Sequence, residues 1–99
     1  MRNFALAIAI LISGHIFAQG DAKKGASLYK ACIQCHGEQG EGNVAEEAPK
    51  IAGQLDWYIV SSIEAFKIGK DRKNPKMLPY IKSLSEQDIA DLAAYISAM

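Results

Sequence analysis

The chain has 99 residues, room for a single domain. Eleven basic residues balance eleven acidic ones, which excludes the strongly basic surface of a general nucleic-acid binder. At 49% hydrophobic and 22% charged the composition is neither disordered nor collagen-like, and two cysteines cannot build a multi-bridge disulfide scaffold. A domain this small has little core of its own, so something besides its side chains is expected to fill the middle.

Residues 1–18 read as an export signal. Arg2 gives a positive start, Phe4 to Ile12 are continuously apolar, and Ile16-Phe17-Ala18 ends on a small residue. A membrane anchor would need roughly 20 apolar residues, and the stretch from Phe4 to Ala18 is shorter and broken by Ser13, Gly14 and His15. Cleavage near Ala18 is the expectation, leaving a mature domain over 19–99 in the periplasm. Loss of Arg2 then shifts the charge balance to −1.

Three helices and no strand are expected in the mature domain, which makes the fold class all-α. Asp21 is the N-cap of a first helix reaching about Ala31, with Leu28 and Ala31 on one face. Gly25 within it costs about 1 kcal/mol against alanine, so another element should pack closely there. Residues 37–49 form a Gly- and Glu-rich loop ending in Pro49. A second helix runs from about Asp56 to Lys67, with Ile59, Ile63 and Phe66 in register and Gly69 just past its end. Residues 68–84 should be mostly irregular, and so long a loop in a small domain is usually functional. Ser85 and Asp88 cap a third helix, whose Ile89, Leu92, Ala93 and Ile96 share a face while Asp88 and Asp91 point away.

Cys32-Ile33-Gln34-Cys35-His36 carries the chemistry. C-x-x-C-H is the attachment signature of c-type haem. On a helical turn the two thiols at i, i+3 share a side and can each add to one porphyrin vinyl group, while the following histidine lies beneath the ring. Export fits, because attachment of this kind is completed outside the cytoplasm. Three other readings are weaker. A redox C-x-x-C wants a preceding strand, and none is found. A structural zinc site wants four ligands, of which two cysteines and one histidine supply three. A disulfide across i, i+3 would strain the helix and leave His36 unused.

His36 is then one axial ligand. His15 departs with the signal peptide, so the second ligand falls to a methionine. Met99 ends the chain beyond the last helix, where fraying is expected. Met77 lies in the long Pro-flanked loop that can fold over the ring, and its sulfur is the expected sixth ligand, against the plain alternative of core filling. His/Met ligation raises the reduction potential and suits one-electron transfer.

At these residues the sequence resembles the class I cytochromes c of bacterial periplasmic type, over 20–99. It is similar to one half of the dihaem cytochromes c and to small monohaem carriers. The matching stretches are GDAKKGASLYKACIQCHG, APKIAGQ and NPKMLPYIKSLSEQDIADLAAYI. The resemblance implies one covalently attached haem c, a crossing of first and last helices with Gly25 and Tyr29 against Leu92, Ala93 and Tyr95, and Met77 as sixth ligand. It also implies that the Pro49 carbonyl accepts the Nδ1 proton of His36. Pro79 departs from the pattern, at a place where relatives often continue a short helix.

Gly37, Gly40 and Gly42 mimic a phosphate loop, but no strand precedes them and the nearby Glu38, Glu41, Glu46 and Glu47 repel phosphate. Trp57 is expected in the core, with a bond to a haem propionate as the sharper alternative. Lys67, Lys70, Arg72, Lys73 and Lys76 against Asp71 give the 67–76 stretch +4. That is either one of two solvated loops or a basic rim beside Met77 on which an acidic redox partner docks. The leading function is an exported monohaem electron carrier. The alternative is a cytochrome subunit bound permanently to a flavoprotein or other dehydrogenase. A peroxidase or gas sensor would need an open sixth position, which Met77 argues against.

Overall fold

The computed structural model describes residues 19–99. The expected signal segment, residues 1–18, lies outside the described residues. Among the described residues five α-helices follow in order: α1 Ala22–Tyr29, α2 Ile33–His36, α3 Asp56–Ile68, α4 Leu78–Ile81 and α5 Glu86–Ser97. A 3₁₀ turn spans Val44–Glu46. Among the described residues there is no strand, only an isolated antiparallel bridge between Asn43 and Ala48. The all-α expectation holds; the helix count does not, because two four-residue helices stand at the C-x-x-C-H turn and inside the 68–84 stretch expected to be irregular.

The first of these, α2, arises where α1 stops early. Asp21 caps α1 as expected, its carboxylate accepting the Lys23 and Lys24 amides. The helix then ends at Tyr29 rather than near Ala31. The Ala31 and Cys32 amides donate to Leu28 and Tyr29 carbonyls, bonds of i→i+3 type that tighten the last turn and redirect the chain. The second, α4, begins right after Met77. Pro79 stands in its first turn, where a missing N–H has no bond to lose, so the proline starts a short helix instead of interrupting one.

α3 and α5 keep their expected bounds closely. Gly69 closes α3 in a left-handed conformation. Ser85 and Asp88 make a reciprocal capping box at the start of α5, both bonds at 3.0 Å. α5 packs against both α1 and α3, and Ile89, Leu92, Ala93 and Ile96 are buried on its shared face. At the α1–α5 crossing a β-carbon on Gly25 would stand 2.0 Å from the Asp91 carbonyl oxygen and 2.8 Å from the Tyr95 β-carbon. Only glycine allows that approach. Tyr29, 1% exposed, packs its ring 5.5 Å from that of Tyr95.

Three expectations are corrected. Asp91 does not face solvent: it is 1% exposed and accepts the Asp21 amide at 2.7 Å and the Gln87 side-chain amide at 2.9 Å. The crossing brings the start of α1 onto that side of α5, and the carboxylate satisfies an amide that a helix start leaves without a partner. Met99 is not frayed; its amide bonds to Ile96 and its side chain packs against the core. Trp57 is not core: it is 64% exposed at the first turn of α3, edge-on to Tyr58.

Candidate functional site

α2 and the residue before it carry both cysteines and His36, and the turn before α4 carries Met77. All four line one cavity of about 410 Å³. Ile59 and Ile63 of α3, Ile81 of α4, and Leu92 and Ile96 of α5 supply much of its apolar wall. The residues that the sequence singled out separately are therefore gathered around one space.

The C-x-x-C-H turn is fixed by its own backbone. The His36 amide donates to the Cys32 carbonyl at 2.9 Å, and the His36 carbonyl accepts the Gly42 amide at 2.8 Å. Both thiols are unbridged. Burial, and then the neighbouring Cys35, push the Cys32 thiol up to about 11, so it is held neutral.

The 37–49 loop serves His36. Gly37 opens it at φ 89°, a region that side chains avoid. The Gly40 carbonyl accepts the Ile51 and Ala52 amides, and Asn43 pairs with Ala48 through two backbone bonds. The folded loop delivers the Pro49 carbonyl oxygen to within 3.0 Å of His36 Nδ1. A carbonyl can only accept, so Nδ1 carries the proton and the Nε2 lone pair is left free for a metal. This is the contact that the resemblance implied.

Met77 is placed by Asn74. The Asn74 side-chain oxygen accepts the Lys76 and Met77 amides at 3.1 Å each, and its backbone carbonyl accepts those of Met77 and Leu78. Asn-Pro at 74–75 is a turn signal in the sequence, though its role in holding Met77 becomes visible only in three dimensions.

The residues fit a haem. The cavity has the size of a small-molecule site and an apolar lining. Two thiols and one free imidazole nitrogen at the wall match a flat apolar macrocycle with two vinyl groups and a central iron.

The basic stretch is partly committed within the chain. Lys76 pairs with Glu46 at 3.2 Å, joining the basic loop to the acidic one. Lys67 donates to the Leu84 carbonyl. Arg72 bonds to Ser62 Oγ at 2.8 Å and lies over the Phe66 ring, 4.3 Å from its centroid. Lys70 and Lys73 carry no ion pair among the described residues. Arg72, Tyr58 and Glu46 line the cavity, whereas Trp57 does not, so the propionate bond considered for Trp57 finds no support. The sequence points to none of those three as lining residues, because loop closure brings Glu46 and Arg72 there and the packing of α3 brings Tyr58.

Fold and cavity together define a haem domain of the class I cytochrome c type. The cytochrome c family model matches residues 22–99, and the chain belongs to the cytochrome c family. It is 41% identical over 81 residues to cytochrome c-554(548) of Halomonas halodenitrificans, covering 80% of this chain and 96% of that one. It is 35% identical over 94 residues to cytochrome c4 of Pseudomonas aeruginosa, covering 95% of this chain and 46% of that one. Among solved structures, thiosulfate dehydrogenase (TsdBA) from Marichromatium purpuratum superposes with TM-score 0.73 at 31% identity, over 78% of this chain and 18% of that one. The chain thus spans about half of its cytochrome c4 relative, in keeping with a resemblance to one half of a dihaem cytochrome. Family membership makes covalently attached haem c the cofactor and electron transfer the role.

Proposed function

We propose that this protein is an exported monohaem carrier of single electrons, with Cys32 and Cys35 as the two thioether sites and His36 and Met77 as axial ligands. The observation that carries the reading is the shared cavity: the C-x-x-C-H turn and Met77 line one apolar space, with His36 Nδ1 already engaged by Pro49. When bound, the haem supplies a couple between ferric and ferrous iron. The chain's own residues hold its ligands and exclude water. The apolar wall keeps the surroundings of low dielectric, Asn74 holds the methionine turn, and Pro49 sets the imidazole plane and raises its basicity.

Export rests on residues 1–18, with cleavage near Ala18 and the domain over 19–99 working in the periplasm. N-terminal sequencing of exported protein tests this, and an intact Met1 start would rule it out. The redox partner is a protein whose acidic surface docks on the basic rim. Lys70 and Lys73 supply free charge there, while Lys67, Arg72 and Lys76 add less because each is already bonded within the chain.

A second reading, a subunit held by a flavoprotein or other dehydrogenase, draws on the thiosulfate dehydrogenase likeness and on the exposed Leu55, Trp57 and Tyr58 at the start of α3. Co-purification with a larger chain at a fixed ratio would favour it.

The deciding experiment is an absorption spectrum, oxidised and reduced, of protein matured with haem in a periplasm. A low-spin haem that stays with the denatured chain, with the weak far-red band of methionine-ligated ferric iron, is the expected result. A high-spin ferric spectrum that shifts on adding cyanide would mean an open iron and would overturn Met77 ligation.

A further inference from the structure

We infer that the Tyr29 hydroxyl is a positioning group for His36, acting through the Gly37 carbonyl; the inference rests on the His36 ligation proposed above. Tyr29 ends α1 and is buried, and its hydroxyl donates to the carbonyl oxygen of Gly37, the residue directly after His36. Burial pushes that hydroxyl up to about 12, so it stays a neutral donor across the working pH range.

At its start the turn is tied to α1 by the Cys32 amide on the Tyr29 carbonyl at 2.8 Å, while the other backbone bonds about His36 and Gly37 lie within the turn and its loop. His36 bonds to Cys32 and Gly42, and the Gly37 carbonyl also accepts the Gly40 amide at 3.2 Å. Those bonds move with the segment. The Tyr29 hydroxyl differs in kind, because α1 is itself clamped to α5 by the Gly25 approach and the Tyr29–Tyr95 ring contact. It ties the end of the haem-binding turn to the most closely packed pair of helices in the domain.

Gly37 is where that tie counts. A residue at φ 89° with no side chain is the natural hinge between α2 and the 37–49 loop. His36 stands on one side of the hinge and Pro49, the acceptor of its Nδ1 proton, is carried by the loop on the other. Without the tyrosine hydroxyl the hinge keeps the Gly42–His36 backbone bond across it but loses its side-chain tie to α1, and the Nδ1–H···O bond to Pro49 loosens. The ring and the hydroxyl have separable tasks: the ring fills the α1–α5 crossing, and the hydroxyl holds the ligand bond. A looser bond makes the imidazole a weaker donor, which favours ferrous over ferric iron and raises the potential.

The test compares Tyr29→Phe with Asp91→Asn in the haem-loaded protein. The second substitution weakens the same crossing at Asp21, away from Gly37. In the ferrous protein, NMR measures solvent exchange of the His36 Nδ1 proton, and voltammetry measures the potential. Y29F should speed that exchange roughly fivefold, the factor corresponding to one ordinary hydrogen bond, and raise the potential. D91N should lower the melting temperature and move neither. Unchanged exchange and potential in Y29F would overturn the inference, and so would equal shifts in D91N. The unsubstituted protein gives an independent reading: a bonded Tyr29 hydroxyl shows a solvent-protected proton resonance, and a freely exchanging one contradicts the assignment. If His36 of the unsubstituted protein titrates with pH as a free imidazole, the ligation itself fails, an outcome distinct from a silent Y29F.

Discussion

A β-carbon placed on Gly25 would stand 2.0 Å from the Asp91 carbonyl oxygen and 2.7 Å from its carbonyl carbon. Both are backbone atoms of α5, so neither can rotate aside. Gly25→Ala should therefore push α1 and α5 apart, although alanine is the better helix former by about 1 kcal/mol. Overpacking of this kind outweighs the propensity gain, and the expected loss is about 2 kcal/mol, or roughly 8–16 °C in melting temperature for a domain of this size. Thermal unfolding of the haem-loaded protein measures it. A variant that melts at or above the parent temperature would show that the crossing can relax.

Asp91 makes stability depend on pH. The Asp21 amide, followed by the Gln87 side-chain amide, holds its carboxyl below the usual carboxylate range against the opposing effect of burial. A carboxyl depressed in the folded state contributes stability that is fully present above its unfolded value of about 3.9 and is lost as pH falls through the folded value. Asp91→Asn keeps an acceptor oxygen and loses only the charge. It should cost about 1 kcal/mol at pH 7, the difference between hydrogen bonds to charged and to neutral groups, and progressively less as pH falls below about 4. Denaturant titrations of both proteins at pH 7 and pH 3 check this. An equal gap at the two values would mean that the charge on Asp91 contributes nothing.

Legibility in the sequence divided along the line between local and long-range causes. The C-x-x-C-H spacing, the Ser85–Asp88 cap and the apolar face of α5 are local patterns, and each stands in the structure where the residues predicted it. Gly25 was readable as a close approach because a glycine inside a helix demands a reason. Asp91 was misread because helical periodicity assigns a carboxylate to the solvent side, and nothing within α5 announces that the start of α1 will cross there. Met99 and Trp57 were misread likewise, since chain position and residue type say little about what packs nearby. The helix of residues 78–81 was hidden by Pro79, which reads as a breaker and acts as a starter.

Met77→Ala should open the sixth position. Met77 is held by the Asn74 turn and packs against the core from the cavity wall. Removing its sulfur should lower the potential, abolish the far-red ferric band and let cyanide bind without displacing a ligand. Asn74→Ala should act in the same direction but more weakly, because it frees the turn without deleting the sulfur. A Met77→Ala protein with the parent spectrum would transfer the sixth-ligand role elsewhere and remove the argument against a peroxidase or sensor.

The charge on the 67–76 stretch should act through Lys70 and Lys73 more than through Lys76. Glu46 and Lys76 neutralise one another at 3.2 Å, so an approaching anion sees little of either. Hexacyanoferrate(III) serves as an anionic oxidant in stopped flow. Reversing both free lysines, Lys70→Glu with Lys73→Glu, should slow oxidation of the ferrous protein about tenfold at low ionic strength. Lys76→Gln should slow it less than replacing either free lysine singly with glutamine. The differences should fade toward 1 M salt, where the Debye length shrinks to about 3 Å. Glu46→Gln should speed the reaction by releasing the Lys76 charge, an effect opposite in sign to every lysine substitution. Rates that ignore both salt and charge reversal would leave the basic loop as a solvated surface with no part in docking.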